Sequence, residues 1–342
     1  MSGVTLRLDT ATWRAHLRAV ADATPGLVPV IKGNGYGFGL ARLASEAQLL
    51  GMDTLAVGLP SEVVAVRDAF DGDIVILNPW RQDDQHATEL ARDPRIISTV
   101  SRLGDLEILA NVGGHPRVLC EALTSMHRHG INVSDLPGIE AMAEYVRIEG
   151  WSIHLPMAGD TVAEAIRLAG ACRSAHAAPL WLSHFPAQAV HQLPNPDAVR
   201  LRHGTQLWLG DPVSRRTTAT VLDVHRVRRG DHAGYRQRRI PHDGWIVVVA
   251  GGTSQGVGLE APSSASTPRQ RAISVATGGL AAAGRALSPY TIDGRKRWFV
   301  EPPHMQSSLV LLPDDATPPD VGDEVPVELR LTTATVDQVV DA

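Results

Sequence analysis

Among the 342 residues, Lys32 stands out as a group placed for covalent chemistry. It sits in Val30-Ile31-Lys32-Gly33-Asn34-Gly35-Tyr36-Gly37-Phe38-Gly39, where an apolar run gives way to a turn with four glycines. An amine that leaves an apolar strand into such a turn is partly desolvated, which favours its neutral form and hence imine formation with a carbonyl compound. Further along, groups able to bind an anion or move a proton fall at the ends of apolar runs: Asn78, Thr124 to Arg128, His154, His184, and Arg202 with Gly204 and Thr205. Each of these taken alone is commonly a solvated or satisfied polar residue. Recurring run after run, they read better as parts of one site.

The elements that must position them follow from the patterning. Eight apolar runs, at 27–32, 53–57, 73–77, 95–100, 117–122, 151–155, 179–184 and 198–202, alternate with amphipathic stretches. Their separation of roughly 20 to 30 residues is that of repeated βα units. Helices are predicted at 40–50, 61–69, 138–147 and 161–174, where apolar residues recur every three or four positions. The fold class is therefore α/β, a (β/α)8 TIM-type barrel whose C-terminal strand ends bring the polar residues to one rim. An open doubly wound sheet fits the same alternation, and the count of eight favours the barrel.

After about residue 211 the pattern changes to β-branched runs at 217–227, 244–249, 274–276, 297–300, 307–312 and 324–331, often bounded by Gly, Asp or Pro. This predicts a C-terminal antiparallel β domain, to which a short strand at 4–8 is also assigned. The expected domains are the barrel at 9–212 and the β domain at 1–8 plus 213–342. The Ser-, Pro- and Arg-rich stretch 263–271 reads as a mobile loop.

Composition narrows the partners. Hydrophobic residues make up 44% and charged residues 20%, enough apolar material for a globular core in each domain. A net charge of -5 with no long basic stretch argues against nucleic acid. Cys120 and Cys172 lack the spacing of a zinc site or a disulfide framework, so no metal is expected and a reducing cytoplasm fits. No run approaches the roughly 20 apolar residues that span a bilayer, and no targeting segment is evident at the N-terminus, so no membrane partner is expected.

The Lys32 segment resembles the cofactor-lysine motif of the alanine racemase family, in which Lys, Asn, Tyr and two Gly recur at this spacing. The resemblance implies pyridoxal 5′-phosphate (PLP) as cofactor, Lys32 as its Schiff-base lysine and Tyr36 as a phosphate ligand. Phe38 stands where that family usually has His. Thr124-Ser125-Met126-His127-Arg128-His129-Gly130 is similar to the segment whose Arg holds the cofactor phenolate and the substrate carboxylate, a role that falls to Arg128. Leu123 and Ser125 replace the family's Asp and Gly. His154 matches a His packed on the cofactor ring, and His184 lies where another active-site His occurs. Arg202-His203-Gly204-Thr205, with Leu207-Trp208-Leu209-Gly210 after it, resembles the segment carrying an Arg that faces the pyridine nitrogen and a Gly whose amide meets the phosphate. A guanidinium only donates hydrogen bonds, so the nitrogen opposite it stays unprotonated and the ring is a weaker electron sink.

Racemisation at Cα needs proton exchange on both faces, and the family pairs the cofactor Lys with a Tyr from the partner subunit's C-terminal domain. The segment that resembles the Tyr-bearing one is Val249-Ala250-Gly251-Gly252-Thr253-Ser254-Gln255-Gly256, and it holds no Tyr. The hydroxyls of Thr253 and Ser254 are far less acidic than a phenol. The family's Met-Asp segment is similar to His304-Met305-Gln306, which makes His304 the candidate for the second proton transfer, its alternative being a surface or interface histidine. The family's phosphate-binding C-terminal Tyr has no equivalent around Thr332-Thr333-Ala334-Thr335. What the resemblance implies is a homodimeric PLP-dependent racemase-like isomerase with shared active sites, acting on a small-molecule amino acid without the usual second Tyr. A one-base decarboxylase or lyase, and a non-catalytic relative that binds PLP or an amino acid, are the alternatives.

Overall fold

A computed structural model describes residues 3–259 and 286–342, so the loop expected at 263–271 and the strand expected at 274–276 lie outside the described residues. The chain divides into two compact units, Arg14–Gly210 and Met1–Trp13 with Asp211–Ala342. The first strand, β1 (Val4–Leu8), belongs to the second unit.

In the first unit eight parallel strands follow: β2 (Leu27–Pro29), β3 (Thr54–Val57), β4 (Asp73–Ile76), β5 (Ile96–Val100), β6 (Arg117–Ala122), β7 (Arg147–His154), β8 (Leu180–Ser183) and β9 (Val199–His203). They pair in the order β2-β9-β8-β7-β6-β5-β4-β3. A parallel bridge between Val30 and Ala56, with the Ile31 amide donating to the Ala56 carbonyl at 2.7 Å, links the two ends of that path. The result is a nearly closed barrel, and each strand falls on one of the eight apolar runs. Two connections differ from the predicted helices. The stretch predicted at 138–147 is a series of 3-10 turns over Val133–Met142, after which β7 begins. The stretch at 61–69 contracts to a 3-10 turn at Pro60–Glu62 and one helical turn at Val63–Val66.

Side chains alternate inward and outward along each strand, which sorts the barrel into layers. On β6, Val118, Cys120 and Ala122 pack outward against the helical layer, and Leu119 packs inward. Toward the N-terminal end of the strands, Arg117 pairs with Asp73 at 2.6 Å and with Glu149 at 2.6 Å, and Arg200 pairs with Asp53. The middle layer is apolar: Val28, Val30, Ala56, Val75, Ile97, Leu119 and Trp181. Gly150 makes room for that tryptophan, since a Cβ there would lie 2.5 Å from the Trp181 ring. The same alternation, carried one step further, turns Lys32, Glu121, His154 and Arg202 inward at the C-terminal end.

In the second unit the remaining strands are β10 (Arg215–Val227), β11 (His232–Ala233), β12 (Arg238–Arg239), β13 (Gly244–Ala250), β14 (Leu287–Ile292), β15 (Arg295–Phe299), β16 (Ser307–Pro313), β17 (Glu324–Pro326) and β18 (Gln338–Asp341). One sheet has the order β14-β15-β16-β13-β10-β1-β18, with β17 also on β10, and β11 pairs with β12. Pairing is antiparallel except between β1 and β18. Val4, Val221, Val247, Val249, Tyr290 and Val310 are among the residues of its core. The run predicted at 324–331 is strand only to Pro326, with Val327 still donating to the Thr217 carbonyl at 3.1 Å. Among the described residues no helix is long and apolar enough to cross a membrane.

Candidate functional site

Lys32 lies three residues past the end of β2, just beyond the Val30 bridge to Ala56. The turn after it is held by Glu62, whose carboxylate accepts from the Gly33 amide at 2.7 Å, the Gly58 amide at 2.7 Å and the Leu59 amide at 3.0 Å. Gly58 also leaves space for the lysine, since a Cβ there would stand 3.1 Å from Lys32 Cβ. Desolvation lowers the Lys32 ammonium below its ordinary value; the nearby charges of Arg128 and Arg202 add to this and Glu62 opposes it. That is the direction imine chemistry needs.

Tyr36 is buried and takes left-handed backbone angles, φ 54° and ψ 30°, a conformation that costs a non-glycine residue roughly 1–2 kcal/mol. Its amide donates to Asn34 Oδ1 at 3.1 Å. The strained turn delivers the hydroxyl to Gly204, so close that a Cβ on Gly204 would lie 2.1 Å from it. Burial pushes the phenol up to about 12, with Glu62 adding to the shift, so it is a hydrogen-bonding group at neutral pH. Gly204 precedes a short helix, Thr205–Leu209, which is fastened to the first barrel strand by Trp208 Nε1 donating to the Val30 carbonyl at 2.8 Å. Thr205 itself is exposed.

On β9, the strand paired with β2, Arg202 is 5% exposed. Its Nη1 donates to Ser152 Oγ at 2.8 Å and its Nη2 to the Ile153 carbonyl at 3.3 Å, while its buried Nε has no hydrogen-bond partner among the described residues. Desolvation lowers the guanidinium to about 10, with Arg128 acting the same way and Glu121 opposing, so it remains a cation at neutral pH. Arg128 Nη2 donates to His154 Nδ1 at 3.2 Å, which puts the His154 proton on Nε2. His154 is pushed down to about 3 by desolvation first and then by Arg202, Arg128, His184 and Lys32. It is a neutral imidazole in this setting. The His184 ring meets it edge-on at 5.1 Å, and His184 Nδ1 donates to the Leu155 carbonyl at 3.0 Å.

Lys32, Tyr36, Arg128, His154, His184, Arg202 and Gly204 thus lie together at the C-terminal ends of the barrel strands. Asn78 instead lines a separate cavity of about 560 Å³ with Pro60, Trp80, Arg81 and Ser98. Two residues of the site escaped sequence reasoning. Glu62 carries no local signal, because its three donors come from two different turns. Glu121 carries one, an acid after the apolar stretch Val118–Cys120 of its strand. The Nε of Arg202 is a buried donor without a partner among the described residues, and the Tyr36 hydroxyl beside Gly204 is suited to an anion. A heteroaromatic ring with an unprotonated nitrogen and a phosphate arm fits both requirements. Among the described residues no cluster of His, Cys, Asp and Glu could hold a metal ion.

His304 belongs to the second unit. Its Nε2 donates to Glu301 Oε1 at 2.7 Å, and the exposed Tyr235 ring lies on it at 4.5 Å. Desolvation raises Glu301, but the His304 hydrogen bond and the Tyr235 and Arg236 amides outweigh it and hold the carboxyl below its ordinary range. The segment at 251–256 runs alongside: Thr253 N donates to the His304 carbonyl and Ser254 N to the Met305 carbonyl, both at 2.9 Å. Ser254 Oγ is engaged with the Met305 carbonyl at 2.7 Å and Gln255 Oε1 at 2.8 Å.

Residues 8–197 match the family model described as "Alanine racemase, N-terminal domain". The alanine racemase of Nitrosococcus oceani is 25% identical over 264 residues, covering 71% of this chain and 73% of that protein. The match to the Campylobacter concisus alanine racemase, 26% identical over 134 residues, spans 38% of this chain and only 36% of that protein. Among solved structures, the alanine racemase of Clostridium difficile 630 has a TM-score of 0.74 at 17% identity, covering 99% of this chain and 96% of that one. The Bartonella henselae alanine racemase, solved with covalently bound pyridoxal phosphate, has a TM-score of 0.73 at 16% identity and covers both chains fully, at 100% each. At such identities the structural likeness concerns the fold.

Proposed function

This chain belongs to the alanine racemase family, and from that premise we propose that its barrel binds PLP through Lys32 and acts at Cα of a small amino acid. The observation that carries the reading is the vacant, buried Nε of Arg202 in the same strand-end layer as the Lys32 amine. Lys32 would hold the cofactor covalently and move a proton on its own face of Cα. The Tyr36 hydroxyl and the Gly204 amide would bind its phosphate, Arg128 its phenolate and the substrate carboxylate, and neutral His154 would pack on the ring with His184 behind it. Arg202, a permanent donor, would keep the pyridine nitrogen unprotonated. Thr205 would stand beside the phosphate. Bound there, PLP supplies an electron-withdrawing system that weakens the Cα–H bond.

The opposite face of Cα is where the reading departs from a two-base racemase. The segment 249–256 holds no phenol, and the Ser254 hydroxyl is committed to Met305 and Gln255. His304 would serve as the second proton carrier, delivered by a second copy of the chain in a homodimer with shared sites. The absent phenol equally favours a second reading, one-base decarboxylase or lyase chemistry. Deuterium incorporation at Cα in heavy water, across L- and D-amino acids, separates the two.

The test of the primary reading is borohydride reduction followed by mass spectrometry of the digested protein. The adduct is expected on Lys32 and lost in Lys32→Ala. An adduct on another residue, or none in the unaltered chain, overturns it.

A further inference from the structure

His304 ends a short, stiff stretch, Val300-Glu301-Pro302-Pro303-His304. The two prolines fix φ at consecutive positions and leave little freedom between the acid and the imidazole. The main chain of His304 is held from both sides: its amide donates to the Ser307 carbonyl at 2.9 Å, and its carbonyl accepts from the Thr253 amide at 2.9 Å. What remains to be set is the ring, and Glu301 is bonded to it. His304 Nε2 lies 2.7 Å from Glu301 Oε1. Glu301 is 4% exposed and its carboxyl is held below its ordinary range, so it can only accept, and the proton of this bond sits on Nε2.

The carboxylate is fixed in turn by the tip of the β11–β12 hairpin. The Tyr235 amide donates to Oε1 at 2.9 Å and the Arg236 amide to Oε2 at 3.2 Å. Gly234, at φ 74°, lets the tip come this close, since a Cβ there would lie 2.2 Å from Oε1. The Tyr235 ring then lies on the imidazole, with ring centroids 4.5 Å apart. A carboxylate is costly to bury, and here two amides and one imidazole converge to offset that cost. A histidine merely left at a surface would not need this frame. The ring so oriented keeps one nitrogen, Nδ1, without a hydrogen-bond partner among the described residues.

We propose that Glu301 is a positioning residue for the second proton transfer: it holds His304 by the Nε2 proton, which makes Nδ1 the atom that gives a proton to Cα or takes one from it. In one direction the Lys32 amine takes the Cα proton on its face, and the His304 imidazolium returns a proton from Nδ1 on the other. His304 ends as a neutral imidazole still bonded to Glu301, and proton exchange with solvent restores both groups. The opposite direction exchanges the two roles. Glu301 touches neither cofactor nor substrate; it orients the ring and stabilises its cationic form. The inference rests on the His304 reading for the proton transfer, whereas the Glu301–His304 pairing is a property of the cofactor-free chain.

Two readouts test it. In the full chain without cofactor, proton NMR should show a downfield imidazole N–H resonance at neutral pH, kept from fast exchange by the bond to Glu301. It should vanish in His304→Ala and in Glu301→Gln. Its absence from the unaltered chain, or its persistence in Glu301→Gln, overturns the pairing and the proposal with it. In the PLP-loaded protein, a panel of small L-amino acids in heavy water is followed for inversion and for deuterium uptake with retention, which Lys32 carries out on its own face. Glu301→Gln is expected to slow inversion relative to retention by roughly 10- to 100-fold, the scale of one charge-assisted hydrogen bond. In a His304→Ala background the same substitution should have no further effect. Native inversion in Glu301→Gln, or a loss that adds to that of His304→Ala, overturns the positioning role alone. Inversion that survives His304→Ala, or none in the unaltered chain, overturns the His304 reading and the positioning role with it. Should Glu301→Gln fail to fold, Gly234→Ala carries the test, because its Cβ keeps every charge and drives Oε1 off the imidazole. A Gly234→Ala protein with native resonance and native inversion then overturns the proposal.

Discussion

Replacing Gly204 by Ala tests the join between the Lys32 turn and the last barrel strand. A Cβ at that position would lie 2.1 Å from the Tyr36 hydroxyl oxygen, 3.1 Å from its Cζ and 3.5 Å from Val30 Cβ. Ordinary contact is about 3.5 Å, so the hydroxyl must retreat by roughly 1.4 Å. Tyr36 has little freedom to do so, being buried and held at φ 54° by a turn whose glycines and Asn34 set its path. Overpacking of this kind costs about 1–3 kcal/mol. If the displaced group is the phosphate ligand, the same energy appears as a loss of roughly 5- to 150-fold in PLP affinity. The cofactor-free protein should also melt lower, by about 2–4 °C per kcal/mol for a unit of this size. Absorbance titration and thermal unfolding read the two effects separately. In a Tyr36→Phe background the 2.1 Å clash vanishes and only the 3.1 Å contact persists, so the penalty of Gly204→Ala should shrink. A Gly204→Ala protein with unchanged affinity and melting temperature, or an identical penalty in both backgrounds, refutes the reasoning.

Three further outcomes are expected. The folded His154 value of about 3 lies below the roughly 6.5 of an unfolded histidine, so below pH ~6.5 the unfolded chain takes up a proton that the folded one refuses. Stability should therefore fall as pH drops from about 6.5 toward 3, with no contribution from this group above that window, and His154→Gln should flatten part of the slope in chemical denaturation; an unaltered slope rejects the assignment. Alanine racemisation should be weaker by roughly 10²-fold or more than with two matched bases, and His304→Ala should remove most of what remains while leaving the cofactor bound. Robust L- to D-alanine turnover that survives His304→Ala contradicts this. Sedimentation should show a dimer at micromolar concentration, and a fully active monomer would exclude shared sites.

The eight barrel strands were legible in the sequence because βα periodicity is local, and a strand buried on both faces has to be an apolar run wherever it sits. The polar residues at the run ends were legible for the same reason, since parallel strands carry their C-terminal ends to one side. The helix predicted at 138–147 gave way to 3-10 turns, and the strand predicted at 324–331 ended early. Pairings across long stretches of chain were decided by tertiary structure. Tyr36 and Gly204 meet because barrel closure puts β2 beside β9, and Glu62 reaches Gly33 only through two loops. Likewise Glu121 was visible as an acid in the run Arg117-Val118-Leu119-Cys120-Glu121-Ala122, but a period of two does not say which face is the barrel interior. His304 could be named from its segment, whereas its bond to Glu301 and the Tyr235 ring upon it depend on how the β11–β12 hairpin and the loop before β16 fold together. Residue type and short-range order determined which chemistry this chain can carry; closure of the barrel and the sheet decided which charges face one another, because burial and electrostatic reach are set by distance in space.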